Sequence, residues 1–437
     1  MALRFVLQRY PALGFPLYRR YWLASLASVG ATQLINLGQG WLIYELTGSA
    51  LYLGLLGAAA AVPNILMTLV GGVVADRFDR RRIMMITSSS IGALLLLLTW
   101  LDMSGQVAVW HVLVIAALVS LITGIDWPAR IALYPALIDR TAFLSAVALN
   151  SFIWQVTRMA MPALGGLIIA ATDTWVVFLI SALGFLIMLL VITSLPPQPA
   201  GAGHGTPWQQ MKEGVRFIHQ QPLFRWLILL TFIGMFFSQS YIQIMPAFAD
   251  LLGGGEAAFG YLLSAGGVGS VVGTLLVGSV QGRRHLGRLM LGGAALSAAT
   301  TLLFGMLATT GIFALGLATA FLAAAFASGF LISSMSVMQL SVPDALRGRV
   351  MGIHAMGFSL MPLGGLFIGG LAETLGAPGA VMLGSSAYLL SILAVTASQP
   401  FIRRLSGHEL GAGAAAGAAA GAAAPGRREG TETTAHG

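Results

Sequence analysis

Long apolar runs follow one another along this chain, each divided from the next by a short polar turn. They lie near 20–45, 50–75, 83–101, 108–137, 142–171, 175–195, 223–248, 257–281, 288–308, 311–340, 351–373 and 378–402. A helix that crosses a bilayer needs roughly 20 predominantly apolar residues. Twelve crossing helices are therefore expected. The short alternating segments of a β-barrel are absent. The runs are rich in Gly and Ala, which let helix backbones approach closely in lipid. Several contain Pro, tolerated there because neighbouring groups satisfy the freed carbonyls.

The longest polar stretch between runs, 196–222, has six runs on either side. It opens on a flexible Pro- and Gly-rich composition. It continues as Trp208–His219, which predicts an amphipathic helix lying on a membrane surface. The expected organisation is an N-terminal six-helix bundle over 1–195, a linker over 196–222, a C-terminal six-helix bundle over 223–402 and a disordered tail over 403–437. The halves read as distant copies offset by roughly 200 residues, as in transporters built from repeats. Met161-Pro-Ala-Leu-Gly-Gly166 in the fifth run is echoed by Met361-Pro-Leu-Gly-Gly365 in the eleventh.

Composition excludes a soluble fold: 57% of residues are hydrophobic and 9% are charged, against about 25% charged in soluble domains. Charge also sets the topology. The basic residues, 22 Arg and one Lys, cluster after every second run, as at Arg19–Arg20, Arg77–Arg82, Lys212–Arg225, Arg283–Arg288 and Arg403–Arg404. The intervening turns carry acids such as Glu45, Asp102, Asp173, Asp250, Glu256 and Glu373. Basic loops remain cytoplasmic, so both termini are expected inside. The sequence pI of about 10.3 is then topological, facing anionic lipid rather than nucleic acid. Arginines precede a long first run, so no cleavable signal peptide is expected. Cysteine is absent, which excludes thiol chemistry and disulfides.

The loop after the second run, Gly72-Val-Val-Ala-Asp76-Arg77-Phe-Asp-Arg80-Arg81-Arg82, resembles the major facilitator superfamily signature, with Asp79 where the pattern has glycine. Trp127-Pro-Ala-Arg130, Ala148-Leu-Asn150-Ser, Met245-Pro-Ala-Phe-Ala-Asp250 and Val342-Pro-Asp-Ala-Leu-Arg347-Gly-Arg349 are similar to the enterobactin-exporter-like branch, which exports drugs and siderophores. The resemblance covers nearly the whole chain to about residue 402. It implies two pseudo-symmetric six-helix bundles in a bacterial inner membrane, alternating access and coupling to protons. It also implies a gate in which Gly72, Asp76, Arg77, Arg80 and Arg81 engage helix ends and acids, joined by Arg347 and Arg349. Plain positive-inside anchoring is the simpler reading of the same residues.

Three charges are not explained by topology: Asp126, Arg130 and Arg158 lie inside apolar runs. A charge at the bilayer centre costs roughly 2.5–3.5 kcal/mol on insertion scales, so each needs a partner or a cavity. Arg130 follows Asp126 by one helical turn. At 1.5 Å per residue Asp126 lies about 20 Å, and Arg158 about 24 Å, from the loop between the fourth and fifth runs. Arg158 is thus a second candidate partner for Asp126. Either the group exchanges a proton and holds anionic substrate, or it is a static network that fixes the hairpin. Polar side chains facing a cavity are substrate candidates: Gln33 and Asn36, Asn150 and Gln155, and Gln239 and Gln243, the last two sharing a helix face. Pro162, Gly165 and Gly166 predict close helix packing.

The reading is an all-α secondary transporter, working as a monomer, that exports a small organic molecule in exchange for protons. It needs no cofactor or metal. An uptake permease of the same fold is the alternative. A membrane receptor or assembly factor would need a larger soluble part. An intramembrane enzyme would need zinc motifs, Ser/His pairs or paired acids, which the runs lack.

Overall fold

The computed structural model describes residues 9–197, 207–278 and 286–406. The N-terminal half contains α1 (Pro16–Thr47), α2 (Ala50–Arg77), α3 (Arg80–Met103), α4 (Val109–Leu133), α5 (Phe143–Ala171) and α6 (Thr174–Thr193). A surface helix, α7 (Pro207–Gln220), leads to the second half. There α8 (Pro222–Ile233) and α9 (Met245–Leu251) form one interrupted crossing, followed by α10 (Gly255–Gly278), α11 (Leu286–Ala308) and α12 (Phe313–Ser341). The chain closes with α13 (Asp344–Ala355), α14 (Gly357–Ser398) and α15 (Pro400–Arg403).

Ten described helical segments are long and apolar enough to cross a membrane. The last of them, Leu346–Ser398, contains two crossings, because Gly376 at φ 72° and ψ 160° turns the chain back inside α14. The charged and polar α1 completes twelve. All positive-φ residues among those described are glycines at Gly48, Gly105, Gly253, Gly255, Gly311 and Gly376. All but Gly311 lie in the acid-bearing turns, and all six sit at tight reversals that need the positive φ that glycine enters readily. Large apolar side chains remain exposed along the helices, Leu144 at 81% and Leu275 at 70% among them, as expected where the solvent is lipid.

One apolar core at the acidic ends of the helices joins both halves. Trp41, Ile43, Leu53 and Phe178 pack there with Phe248, Phe259, Phe304 and Ile368. At the basic ends the cores are separate. Tyr18, Met84, Leu133 and Met188 belong to the first half, and Leu227, Met290, Val337 and Ile392 to the second. The halves are therefore closed together at the acidic end and apart at the basic end.

Small residues form the closed seam. A methyl group at Gly54 of α2 would sit 2.6 Å from the Gly365 carbonyl oxygen of α14. One at Gly166 of α5 would sit 3.0 Å from the Cα of Gly260 on α10. Pro162 presents its carbonyl to Gly260, and Gly165 receives Leu34 and Leu37 of α1. The Pro162, Gly165 and Gly166 cluster thus packs α5 against α1 and across the seam. The echoed Gly365 lies at the other seam, α14 against α2.

Candidate functional site

Asp126 is 4% exposed on α4, seven residues before its end at Leu133. Its carboxylate accepts from the Thr87 hydroxyl of α3 at 2.5 Å and from Arg130 Nε one turn further along α4. Arg130, itself buried, also donates to Ser28 Oγ of α1 at 2.9 Å. One carboxylate and one guanidinium therefore tie together three helices of the first half. Such a pair is costly to break, because removing one member leaves the other charge buried and unpaired. The i, i+4 spacing made Arg130 legible as a partner. Thr87 and Ser28 are ordinary helix residues in the sequence, and only the packing reveals them.

Arg158 is not in this network. Among the described residues it has no acid within salt-bridge distance. Its backbone meets Gly267 of the second half, its side chain is exposed, and the ionisable group within electrostatic range is Tyr241 of the second half. The expected approach of Arg158 to Asp126 is thus not observed: Arg130 and Thr87 occupy both carboxylate oxygens.

The basic turn between α2 and α3 works as a set of helix caps. Asp79 caps α3, accepting from the Arg81 amide at 2.9 Å. Arg80 donates to the Ala132 carbonyl near the end of α4 at 3.1 Å. Arg81 donates to the Ile192 and Thr193 carbonyls at the end of α6, at 3.1 and 2.6 Å. Cations suit helix C-termini, where the last carbonyls lack intrahelical partners. Arg80 and Arg81 thus meet helix ends, all within their own half. Arg77 is exposed. Gly72 and Asp76 fall in α2 but outside the residues whose side chains are described. Arg347 and Arg349, expected in a loop, lie on helix α13, with Arg347 exposed. Arg349 pairs with Glu213 of the surface helix α7, so its acid comes from the linker rather than from the facing half.

Two bridges unexpected from sequence close the acidic end. The Tyr44 hydroxyl of α1 donates to Asp250 of α9 at 3.0 Å. Glu373 of α14 accepts from the Ser49 hydroxyl at 2.6 Å and from the Leu51 amide at 3.3 Å. Glu373 thereby caps the start of α2 from the opposite half, a contact that exists only while this end is closed. In the α5–α10 seam, Ser264 accepts from the Ala163 amide at 2.9 Å.

The polar candidates divide. On α5, Asn150, Gln155 and Arg158 fall along neighbouring rows, with Asn150 and Gln155 half-buried. On α1, Gln33 is half-buried and Asn36 exposed, and the helix meets α5 where Gly30 faces Met161. Gln239 and Gln243 do not share a face. The crossing leaves α-helix for a π turn over Gly234–Ser238 and a 3-10 turn over Gln239–Ile244. At three residues per turn, positions i and i+4 diverge by about a third of a turn. Gln239 faces a small pocket inside the second half with Thr231, Ser297 and Tyr388, while Gln243 wedges against Gly57 and Gly365 at the seam.

Two six-helix halves closed at one end, with unbalanced charge between them, define a multi-pass membrane transporter. Residues 9–404 match the family model described as transmembrane secretion effector, and the chain belongs to that family of the major facilitator superfamily. Among characterised relatives it is 24% identical to the staphyloferrin A transporter of Staphylococcus aureus, over 78% of this chain and 86% of that one. It is 25% identical to the enterobactin exporter of Shigella boydii, over 82% and 85%. Among solved structures, the fold matches a variant of the nucleoside transporter NupG at TM-score 0.72 and 14% identity, covering 88% of this chain and all (100%) of that one. It also matches a bacterial homologue of the iron transporter ferroportin in an inward-facing state at TM-score 0.69 and 14% identity, covering 87% and 98%. Relatives and family are transporters, not enzymes.

Proposed function

We propose that this protein extrudes a drug, siderophore or amphipathic metabolite across the bacterial inner membrane by alternating access, as a monomer and in exchange for protons. The observation that carries this reading is the asymmetry of packing: one shared core at the acidic ends, two separate cores at the basic ends. With the basic loops and both termini cytoplasmic, this is the state that loads cargo from inside. Export direction is supported by the relatives, whose names describe siderophore transport.

Asp126 is the proposed proton site. It is the described acid held within the membrane by two donors from neighbouring groups, and its protonation would free Arg130 and relax the α1–α3–α4 junction. Asp76 with Arg77, Arg80 and Arg81 is the proposed inner lock, which engages when the basic ends close. The test is transport in proteoliposomes with an imposed pH gradient, against a panel of siderophores, drugs and lipophilic cations. Gradient-driven movement of a panel member from the basic-end side to the acidic-end side is expected. Gradient-driven movement the opposite way would instead establish an uptake permease.

A further inference from the structure

Arg158 carries a full charge that no acid among the described residues compensates. Arginine stays protonated in proteins, and a charge inside the membrane is retained only with a partner or a water-filled cavity. Every other intramembrane charge of the first half is accounted for: Asp126 and Arg130 neutralise each other. Arg158 is instead exposed, on a stretch of α5 that meets Gly267 of the second half, with no acid in reach among the described residues.

The surroundings of Arg158 are specific. One turn back on the same face of α5 lies Trp154, whose indole Nε1 is buried without a hydrogen-bond partner. A buried donor left unpaired costs on the order of 1–3 kcal/mol, so this one too awaits an acceptor. Trp154 packs edge-on against Trp127 of α4, with ring centroids 5.3 Å apart, and Trp127 remains 38% exposed. Gln155, three residues before Arg158, adds an amide on the adjoining row. Tyr241 of the second half, itself buried in the shared core, is the ionisable group within electrostatic range. The backbone at Arg158 is itself fixed at the seam, because a methyl group on Gly267 of α10 would lie 2.8 Å from the Arg158 carbonyl oxygen.

We infer that Arg158 and Trp154 form an acceptor-seeking site for an organic anion, whose acidic group docks on the guanidinium and whose aromatic or apolar body lies along Trp127 and Trp154. A charge-assisted contact is roughly twice as strong as a neutral one, and the aromatic pair supplies apolar area beside it. The location gives the contact a transport role. Arg158 belongs to one half and Tyr241 to the other, at the margin where the closed seam ends. An anion bound there neutralises a charge that otherwise opposes closure of the halves around it. This rests on the alternating-access reading, but the site itself can be tested without transport.

The experiment is equilibrium binding to the purified full-length chain by calorimetry, using anthracene carboxylate and its neutral carboxamide, with empty micelles subtracted. No gradient is present, so a failure of proton coupling leaves the result intact. The carboxylate is expected to bind about tenfold more tightly than the carboxamide, the effect of one such contact. Arg158→Gln should bring the two together, Arg158→Lys should keep a reduced preference, and Arg140→Gln at the basic surface should keep the full one. Equal binding of both probes by the natural chain, or an undiminished preference in Arg158→Gln, overturns the inference. Where Arg158→Gln does not fold, labelling of the natural chain with phenylglyoxal decides. The carboxylate, but not the carboxamide, should protect Arg158, and equal labelling under both probes overturns the site.

Discussion

The Asp126 carboxylate has both oxygens engaged, one by Thr87 and one by Arg130. Replacing it with Asn preserves the shape and one acceptor but leaves Arg130 as a buried, uncompensated cation. Breaking one side of such a pair typically costs about 3–5 kcal/mol, so Asp126→Asn should melt lower. It should also lose gradient-driven efflux, down to the rate of empty liposomes. The double change Asp126→Asn with Arg130→Gln separates the two effects. It should recover thermal stability and still fail to couple transport to the gradient. Coupled efflux at the natural rate in that double variant would make the pair purely structural. At this scale the sequence was informative where partners are local. Arg130 follows Asp126 by one turn and was readable from spacing. Thr87 and Ser28 were not, because any helix carries hydroxyls and only packing chooses among them. Ser49 and Glu373 are separated by 324 residues, and nothing near either one announces the other.

At the scale of elements, the basic turn between α2 and α3 earns its arginines by capping. Arg81 holds two terminal carbonyls of α6. Arg81→Gln should lower the melting temperature by the equivalent of about 1 kcal/mol, whereas Arg82→Gln, exposed on the same turn, should leave it unchanged. The seams make a second prediction. No side chain fits at Gly260, where the backbone of α5 is in contact. Gly260→Leu should hold the acidic end open and slow efflux at least tenfold while the protein still inserts and purifies. Efflux at the natural rate would show that the α5–α10 seam need not close. The positions of the crossings were legible because each needs the same apolar length and each loop carries the same charge rule. The interruption between α8 and α9 was not, since Pro246 marks only the start of α9 and no proline lies in the π and 3-10 turns before it. Its cause is tertiary: Gly364 and Gly384 of α14 bring backbone against the Phe236 and Phe237 carbonyls, and Gly234 admits the Tyr388 ring. Gln239 and Gln243 consequently point to different places, though their spacing suggested a shared face.

For the molecule as a whole, the alternation of charge along the chain and the alternation of access proposed for it share one axis. The acidic ends meet through one core, two carboxylate bridges and two small-residue seams, and the basic ends stand apart on their own cores. Which end is closed was not legible from the sequence, because either packing of the same twelve helices satisfies the same hydrophobic pattern. The chain contains no cysteine, so paired spin labels can be placed without background. One pair at Leu46 and Leu375 reports the acidic end and a second at Leu144 and Leu340 the basic end, all four being exposed. The decisive measurement is the pulsed electron-spin distance distribution of both pairs in nanodiscs, with pH and a transported substrate varied. Alternating access predicts two populations in reciprocal exchange, the acidic-end distance lengthening as the basic-end distance shortens. Distances that stay fixed, or that lengthen together, would contradict it.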